Sequence, residues 1–184
     1  MNVAVLTFSG CTVVRPDTTR IKEGEDTYLP DDVICVSWSP VLFARVSRPG
    51  RCISARFAPR YWDIAGVGVL LYPENYISSG PEGFACASCL DHTTLLSAPY
   101  ADRGALGGMD FGLRIDSATV FSTELSAGLM DAAIAQVSGH CFLRNGDYVC
   151  VELAPRETVL SSPGTVMLEG YAGGVKTFET KLNI

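Results

Sequence analysis

The sequence predicts an α+β protein in which β-strands dominate and one main helix spans about residues 122–138. Short segments rich in β-branched and aromatic residues recur along the chain, and glycine, proline, asparagine or aspartate separates them. Only the segment around 122–138 shows a good helical period of apolar residues. The chain has 184 residues, 47% of them hydrophobic and 18% charged, so we expect one globular domain over 1–184.

The predicted strands are short and mostly bounded by turn residues. In ICVSW, the residues Ile34, Val36 and Trp38 alternate with polar or small ones, as expected for a strand with one buried face. The predicted strands are 3–8, 32–38, 40–47, 67–72, 110–116, 147–153, 165–172 and 175–182.

Two segments have helical character, and 122–140 is the better of them. Ser122 or Thr123 can cap it, and Gly139 is a natural stop. Its apolar stripe consists of Leu125, Leu129, Ala132, Ile134 and Val137. The other segment is 54–68, in which Pro59 splits the helix or confines it to a short start. Residues 73–109 are rich in Pro, Gly, Ser and Ala, and we expect loop there with one or two short strands.

Charge, hydropathy and the N-terminal residues argue against several classes of protein. The net charge is −6, with 14 Lys and Arg against 20 Asp and Glu, which argues against a nucleic-acid partner. No apolar run reaches the roughly 18 residues of a membrane span, and no basic, signal-like N-terminus is present. We therefore expect a cytoplasmic protein whose seven cysteines are mostly reduced.

The stretch CASCLDH contains Cys86, Cys89, Asp91 and His92. A zinc site needs four ligands, and the adjacent His140 and Cys141 would point to opposite faces of a strand. A redox dithiol needs a helix N-terminus after a strand, which this stretch does not predict. We interpret the cysteines as small apolar residues of a core or loop, with zinc as the open alternative.

Other catalytic patterns are absent from the sequence. There is no Gly-x-Ser-x-Gly nucleophile elbow, and there is no phosphate-binding or dinucleotide-binding glycine loop. The acidic residues fall mainly in predicted turns and caps, whereas a hard cation needs converging carboxylates. Taken alone, the residues predict a fold and no chemistry.

A longer pattern over 43–75 is more specific. It has a strand ending in Arg45-Val46-Ser47, a turn with Gly50, and the segment ARFAPRYWD that ends at Asp63. This pattern resembles bacterial members of the fumarylacetoacetate hydrolase family. Further family segments are similar to three other parts of the chain, which are Arg15-Pro16-Asp17, Tyr28-Leu29-Pro30 and residues 121–153. The resemblance covers about 14–184, with 1–13 as an extra or replaced N-terminal strand, and it implies the family's mixed β-sandwich roll.

The resemblance also implies where the family's chemistry would lie. The positions of its metal-binding Glu-x-Glu pair fall on Ser39 and Val41, and that of its metal-binding Asp falls on Leu70. The position of its catalytic Lys falls on Ser88, while Asp91 retains an Asp. The family's N-terminal stretch looks truncated. We therefore expect no catalytic residues, no bound metal and no other cofactor.

Two hypotheses follow from the resemblance. The first is a relative without the family's metal-dependent chemistry that serves as a binding or subunit-interaction protein. It would be a homodimer, as family members usually are, and a pocket could take a small acid through Arg15 or Arg45. The alternative is an active hydrolase, isomerase or decarboxylase on a small 2-oxo, acylpyruvate-type acid, using Mg²⁺ or Ca²⁺. Its candidate acids are Asp63, Glu74 and Asp91.

Overall fold

A computed structural model describes residues 1–22, 24–98, 101–160 and 164–183. The helices of this part of the chain are α1 (Glu74–Ile77), α2 (Pro81–Cys89) and α3 (Ala127–His140). Its strands are β1 (Asn2–Leu6), β2 (Thr12–Pro16), β3 (Thr27–Tyr28), β4 (Val36–Val46), β5 (Trp62–Pro73), β6 (Thr94–Leu96), β7 (Ala101–Asp102), β8 (Asp110–Ile115), β9 (Ala118–Glu124), β10 (Tyr148–Glu152), β11 (Glu157–Leu160), β12 (Thr165–Ala172) and β13 (Val175–Asn183). The predicted α+β class is confirmed.

The strands form two sheets. The larger has the order β2-β1-β10-β4-β5-β6, with β11 paired to β4 and β7 paired to β5. Within it β1 runs parallel to β10, and the other pairs are antiparallel. The smaller sheet has the order β3-β13-β12-β8-β9. The outer face of the larger sheet, the smaller sheet and α3 share one apolar core, to which Trp38, Ile134 and Phe111 contribute.

The larger sheet is rolled up, because its two ends meet. Just after β2, Arg20 forms a parallel bridge with Thr94 of β6, and the Ile21 amide donates to the Thr94 carbonyl at 3.0 Å. Alternate residues therefore point into the roll. The apolar residues of this interior are Val3, Val5, Val41, Phe43, Leu70, Tyr72, Leu96, Tyr148 and Cys150.

The main helix begins later than predicted. It spans Ala127–His140, and residues 122–124 belong instead to β9, where Glu124 pairs with Asp110. A tight turn at Asp116 and Ser117, both with positive φ, returns the chain alongside β8. Pairing with β8 thus competes successfully with the helical preference of these residues.

The predicted helix over 54–68 is wrong. Only a single 3-10 turn forms, at Ala58–Arg60, and β5 begins at Trp62. Along its length β5 pairs with β4, from Trp62 opposite Val46 to Pro73 opposite Val36. This long-range ladder decides the conformation at the start of β5, where the local sequence carries little strand signal, whereas residues 67–72 were predicted as a strand.

The prediction of loop over 73–109 is also wrong in part, because α1 and α2 lie there. Similarly, the two strands predicted at 32–38 and 40–47 merge into one strand, β4, which begins only at Val36 and passes through Pro40. The Pro40 carbonyl accepts from the Leu153 amide at 2.8 Å, so its nitrogen faces the gap between β10 and β11. No ladder donor is needed there, and the strand continues. Among the described residues, no helix is long and apolar enough to cross a membrane.

Candidate binding cleft at the mouth of the roll

A cavity of about 450 Å³ opens at one mouth of the roll, and we call it the mouth cleft. It lies between the β1–β2 turn, the end of β5, α2 and the loop that follows β10. The turn is held by its own hydrogen bond from the Thr7 amide to the Cys11 carbonyl and by Gln136 of α3, which donates to the Gly10 carbonyl at 2.8 Å. The lining residues are Thr7, Phe8, Ser9, Cys11, Tyr72, Phe84, Glu152, Pro155 and Arg156.

One wall of the cleft is aromatic and carries a cation. The rings of Tyr72 and Phe84 stack with centroids 6.3 Å apart. The Arg156 guanidinium lies 5.1 Å from the Tyr72 centroid and 5.9 Å from that of Phe84. Its Nε is 3.6 Å from Oε1 of Glu74, which also accepts from the Ser37 hydroxyl. Cation–π attraction and the ion pair together hold Arg156 at the cleft.

Glu152 supplies the negative charge of the lining. The Tyr72 hydroxyl donates to its Oε1 at 2.5 Å, and the Phe8 amide donates to its Oε2 at 2.8 Å. Burial is the main cause that raises the pKa of Tyr72, and Glu152 adds to it, so the hydroxyl keeps its proton. The carboxylate is therefore fixed between the interior of the roll and the β1–β2 turn.

Arg15 lies behind this wall and is fully buried. It pairs with Val3 in the ladder and therefore points into the roll. Its guanidinium lies 4.5 Å from the Tyr72 centroid and donates to the Leu71 and Thr93 carbonyls at 3.2 and 3.0 Å. Its Nε is buried without a partner among the described residues. Arg15 is thus a cation enclosed by the roll, and it does not line the mouth cleft.

The three positions to which the resemblance assigns metal ligands share one face of the roll, and their side chains do not fit a metal. Ser39 pairs with Leu70, and Val41 lies two residues further along β4, so all three side chains point inward. All are fully buried, and the Ser39 hydroxyl donates to the Ala154 carbonyl at 2.9 Å. Mg²⁺ and Ca²⁺ need several oxygen ligands, which Val41 and Leu70 lack. Over the described ranges, no group of three or more His, Cys, Asp or Glu residues could hold a metal ion.

The CASCLDH stretch lies at the C-terminal end of α2. Cys86 and Cys89 are exposed on this helix, which corrects their placement in a core or loop. Redox dithiols sit at the opposite end of a helix. Ser88 is buried and donates to the Phe84 carbonyl at 2.8 Å, while Asp91 is exposed just beyond the helix.

The structure does not bring the alternative acids together. Asp63 forms an exposed, two-point pair with Arg45, whose Nη2 lies 2.5 Å and Nε 3.2 Å from the carboxylate oxygens. This hydrogen bonding lowers the pKa of Asp63. Glu74 is paired with Arg156 near the mouth cleft, and Asp91 is exposed just beyond the C-terminal end of α2.

Sequence reasoning missed the three residues that give the cleft its character, which are Phe84, Glu152 and Arg156. Phe84 fell in the predicted loop, and Arg156 follows the predicted strand 147–153 in a segment without a motif. The only signal was Glu152 itself, an acid near the end of a strand whose other residues are mostly apolar.

The rolled sheet packed on a second sheet is the fold of the fumarylacetoacetate hydrolase family, as the resemblance implied. A protein assigned to that family from Yersinia pestis CO92 matches with a TM-score of 0.81 and 18% identity, over 98% of this chain and 91% of its own. The fumarylpyruvate hydrolase from Pseudomonas aeruginosa, in complex with Mn²⁺ and pyruvate, has a TM-score of 0.78 and 14% identity. The match covers 100% of this chain and 88% of the hydrolase. The 2-hydroxyhepta-2,4-diene-1,7-dioate isomerase from Mycobacterium marinum has a TM-score of 0.81 and 15% identity. The match covers 99% of this chain and 74% of the isomerase. No family model and no curated protein matches the sequence.

Proposed function

We propose that this chain is a binding protein with the fumarylacetoacetate hydrolase fold that takes a small carboxylic acid in the mouth cleft without a divalent metal. The observation that carries the proposal is Arg156, a guanidinium held against Tyr72 and Phe84 at the edge of an open cavity. Arginine is suited to carboxylates because its planar fork donates two parallel hydrogen bonds.

The interior of the roll supports the proposed loss of metal chemistry. Val41 and Leu70 offer no ligand atoms, and the buried charge of Arg15 would repel a divalent cation entering the roll. The fumarylpyruvate hydrolase of the same fold was solved with Mn²⁺ and pyruvate, a small acid. Here Arg156 would provide the positive charge for an acid at the mouth of the roll.

The alternative is an active hydrolase or isomerase on an acylpyruvate-type acid. It is favoured by the fold, because structures of the same fold include a fumarylpyruvate hydrolase and a 2-hydroxyhepta-2,4-diene-1,7-dioate isomerase. A steady release of pyruvate from an acylpyruvate, dependent on added Mg²⁺ or Mn²⁺, would establish this alternative and overturn the first proposal.

The binding proposal is tested by measuring thermal stability and acid binding together. We expect no rise in melting temperature with Mg²⁺, Mn²⁺ or Ca²⁺, because a ligand stabilises a protein only if it binds the native state. We expect small carboxylates such as benzoate to bind by calorimetry and the Arg156→Met variant to lose at least about tenfold in affinity.

Arg60→Met is the matched control for Arg156→Met. Arg60 also lies over an aromatic ring, 5.4 Å from the centroid of Phe57, but on the surface away from the cleft. Its replacement should leave acid affinity unchanged. Equal losses in both variants, or a clear stabilisation by a divalent metal, would contradict the proposal.

We also propose the homodimer and the cytoplasmic location expected from the resemblance and the sequence. Light scattering coupled to size-exclusion chromatography measures the first directly. A mass near the 19.7 kDa of one chain at micromolar concentration would count against the dimer.

A further inference from the structure

We infer that the ligand of the mouth cleft is an aromatic monocarboxylate, with its carboxylate on Arg156 and its ring against Phe84 and Phe8. This inference rests on the proposed function and narrows it. Three features of the cleft determine it, namely the free edge of the guanidinium, the aromatic side chains and the fixed charge of Glu152.

Glu74 and the aromatic rings hold the Arg156 guanidinium at its Nε edge and at one face. Glu74 lies 3.6 Å from its Nε, and within the described ranges no hydrogen bond to the guanidinium is formed. Its side chain is about one-third exposed, at 32%. The edge carrying Nη1 and Nη2 is therefore left for a carboxylate, which this edge can bind through two parallel hydrogen bonds.

Aromatic side chains flank this cation. Phe84 stacks on Tyr72 beneath Arg156, and Phe8 projects from the β1–β2 turn with 56% of its surface exposed. An exposed phenylalanine at the rim of a cavity loses contact with water when a ring packs against it. Aromatic pairs also add attraction beyond that of equal apolar area. A flat ring should therefore bind more tightly than a puckered ring of similar size.

Glu152 limits the ligand to one negative charge. Its carboxylate lines the cleft and is held by Tyr72 and the Phe8 amide, so it cannot swing away without losing both hydrogen bonds. A second carboxylate on the far side of the ligand would meet this charge in a partly dehydrated site. The cavity, at about 450 Å³, falls within the range of about 300–1,000 Å³ that is typical of small-molecule sites.

The experiment compares four probes by calorimetry on the full chain: benzoate, cyclohexanecarboxylate, benzamide and terephthalate. Benzoate should bind most tightly. Cyclohexanecarboxylate should bind on the order of 3- to 10-fold more weakly, because it lacks the aromatic faces. Benzamide, which lacks the charge, and terephthalate, which carries a second one, should each be at least about tenfold weaker.

Variants separate the parts of the inference. Phe84→Leu and Phe8→Leu should each reduce the preference for benzoate over cyclohexanecarboxylate while acid binding remains. Phe8 lies at an exposed turn, so its variant tests the ring contact even if Phe84→Leu fails to fold. Glu152→Gln should reduce the ratio of the benzoate affinity to the terephthalate affinity, because it removes the charge that repels a second carboxylate.

Each result decides a separate claim. Equal affinity for benzoate and cyclohexanecarboxylate, or tight binding of terephthalate, would overturn the aromatic monocarboxylate while the proposed acid site stands. If none of the four probes binds, or if benzamide equals benzoate, the acid site itself is wrong.

Discussion

Tyr72 joins the buried and the open parts of the site. Its ring lies against the enclosed Arg15 guanidinium, and its hydroxyl donates to Glu152 at the cleft. Removing this hydroxyl leaves Glu152 without one of its two donors. A lost hydrogen bond to a charged, nearly buried acceptor costs more than one on the surface.

We therefore expect Tyr72→Phe to lower the free energy of unfolding by about 1–3 kcal/mol in urea denaturation. Tyr76→Phe is the matched control, because the Tyr76 hydroxyl donates at 2.7 Å to Asp32 in an exposed pair. The control should cost less than about 1 kcal/mol. A similar loss of free energy of unfolding in the two variants would show that the buried Tyr72–Glu152 hydrogen bond stabilises the fold no more than the exposed one.

The same contact predicts a pH dependence. The pKa of Tyr72 is raised in the folded state, so the folded protein keeps a proton that the unfolded chain loses above its ordinary pKa of about 10. The contribution of Tyr72 to the free energy of unfolding should therefore be complete below that pH and should be lost as the pH rises further. Tyr72→Phe should make this decline shallower in melting curves measured between about pH 9 and 11, and an unchanged slope would contradict the assignment.

At the scale of elements, local signals predicted some strands well and others poorly. The strand predicted over 165–172 has the bounds of β12, and that over 175–182 is one residue shorter than β13, because Gly173 and Gly174 with positive φ form a turn that the sequence displays. The start of β5 was missed because its strand conformation comes from pairing with β4. Likewise, α2 was missed because its packing against β2 and β5, rather than a helical period, supports it.

Gly68 of β5 allows the neighbouring strand β6 to approach closely, which leads to a stability prediction. A Cβ at Gly68 would lie 2.2 Å from the Leu95 carbonyl oxygen of β6. Because this neighbour is backbone, the strands would have to separate. We expect Gly68→Ala to lower the free energy of unfolding by at least about 1–3 kcal/mol.

Gly139→Ala in α3 provides the opposite case. No atom other than the neighbouring backbone of α3 lies within 4 Å of a Cβ there, and alanine favours a helix over glycine by roughly 0.5–1 kcal/mol. This variant should be neutral or more stable in the same denaturation experiment. Destabilisation by both substitutions to the same extent would show that the close approach of β5 and β6 does not limit the roll.

For the whole molecule, the resemblance singled out three positions, which the structure buries on one face of the roll, but it gave no indication of the cleft. Ser39, Val41 and Leu70 converge because β4 and β5 pair in register. The cleft instead depends on side chains far apart in the chain, such as Phe8, Phe84 and Arg156. Their convergence requires the roll to close and α2 to pack on it, and neither has a local signal in the sequence.

Closure of the roll makes Cys150 a reporter of the folded state. It lies in the interior, fully buried, and burial raises the pKa of its thiol to about 12. Thiolate is the reactive form, so Cys150 should not react with a disulfide reagent in the native protein. In contrast, Cys11, Cys52, Cys86 and Cys89 are exposed and should react first, followed by the half-buried Cys35 and Cys141.

We therefore expect four rapid, two slower and one very slow thiol in a titration of the native chain. The last phase should track opening of the roll, because a buried group reacts only from the open state. Gly68→Ala should accelerate this phase, Gly139→Ala should not, and Cys150→Val should remove it without affecting the others. If all seven thiols reacted at one rate, or if the slow phase survived in Cys150→Val, the roll would not enclose this residue as described.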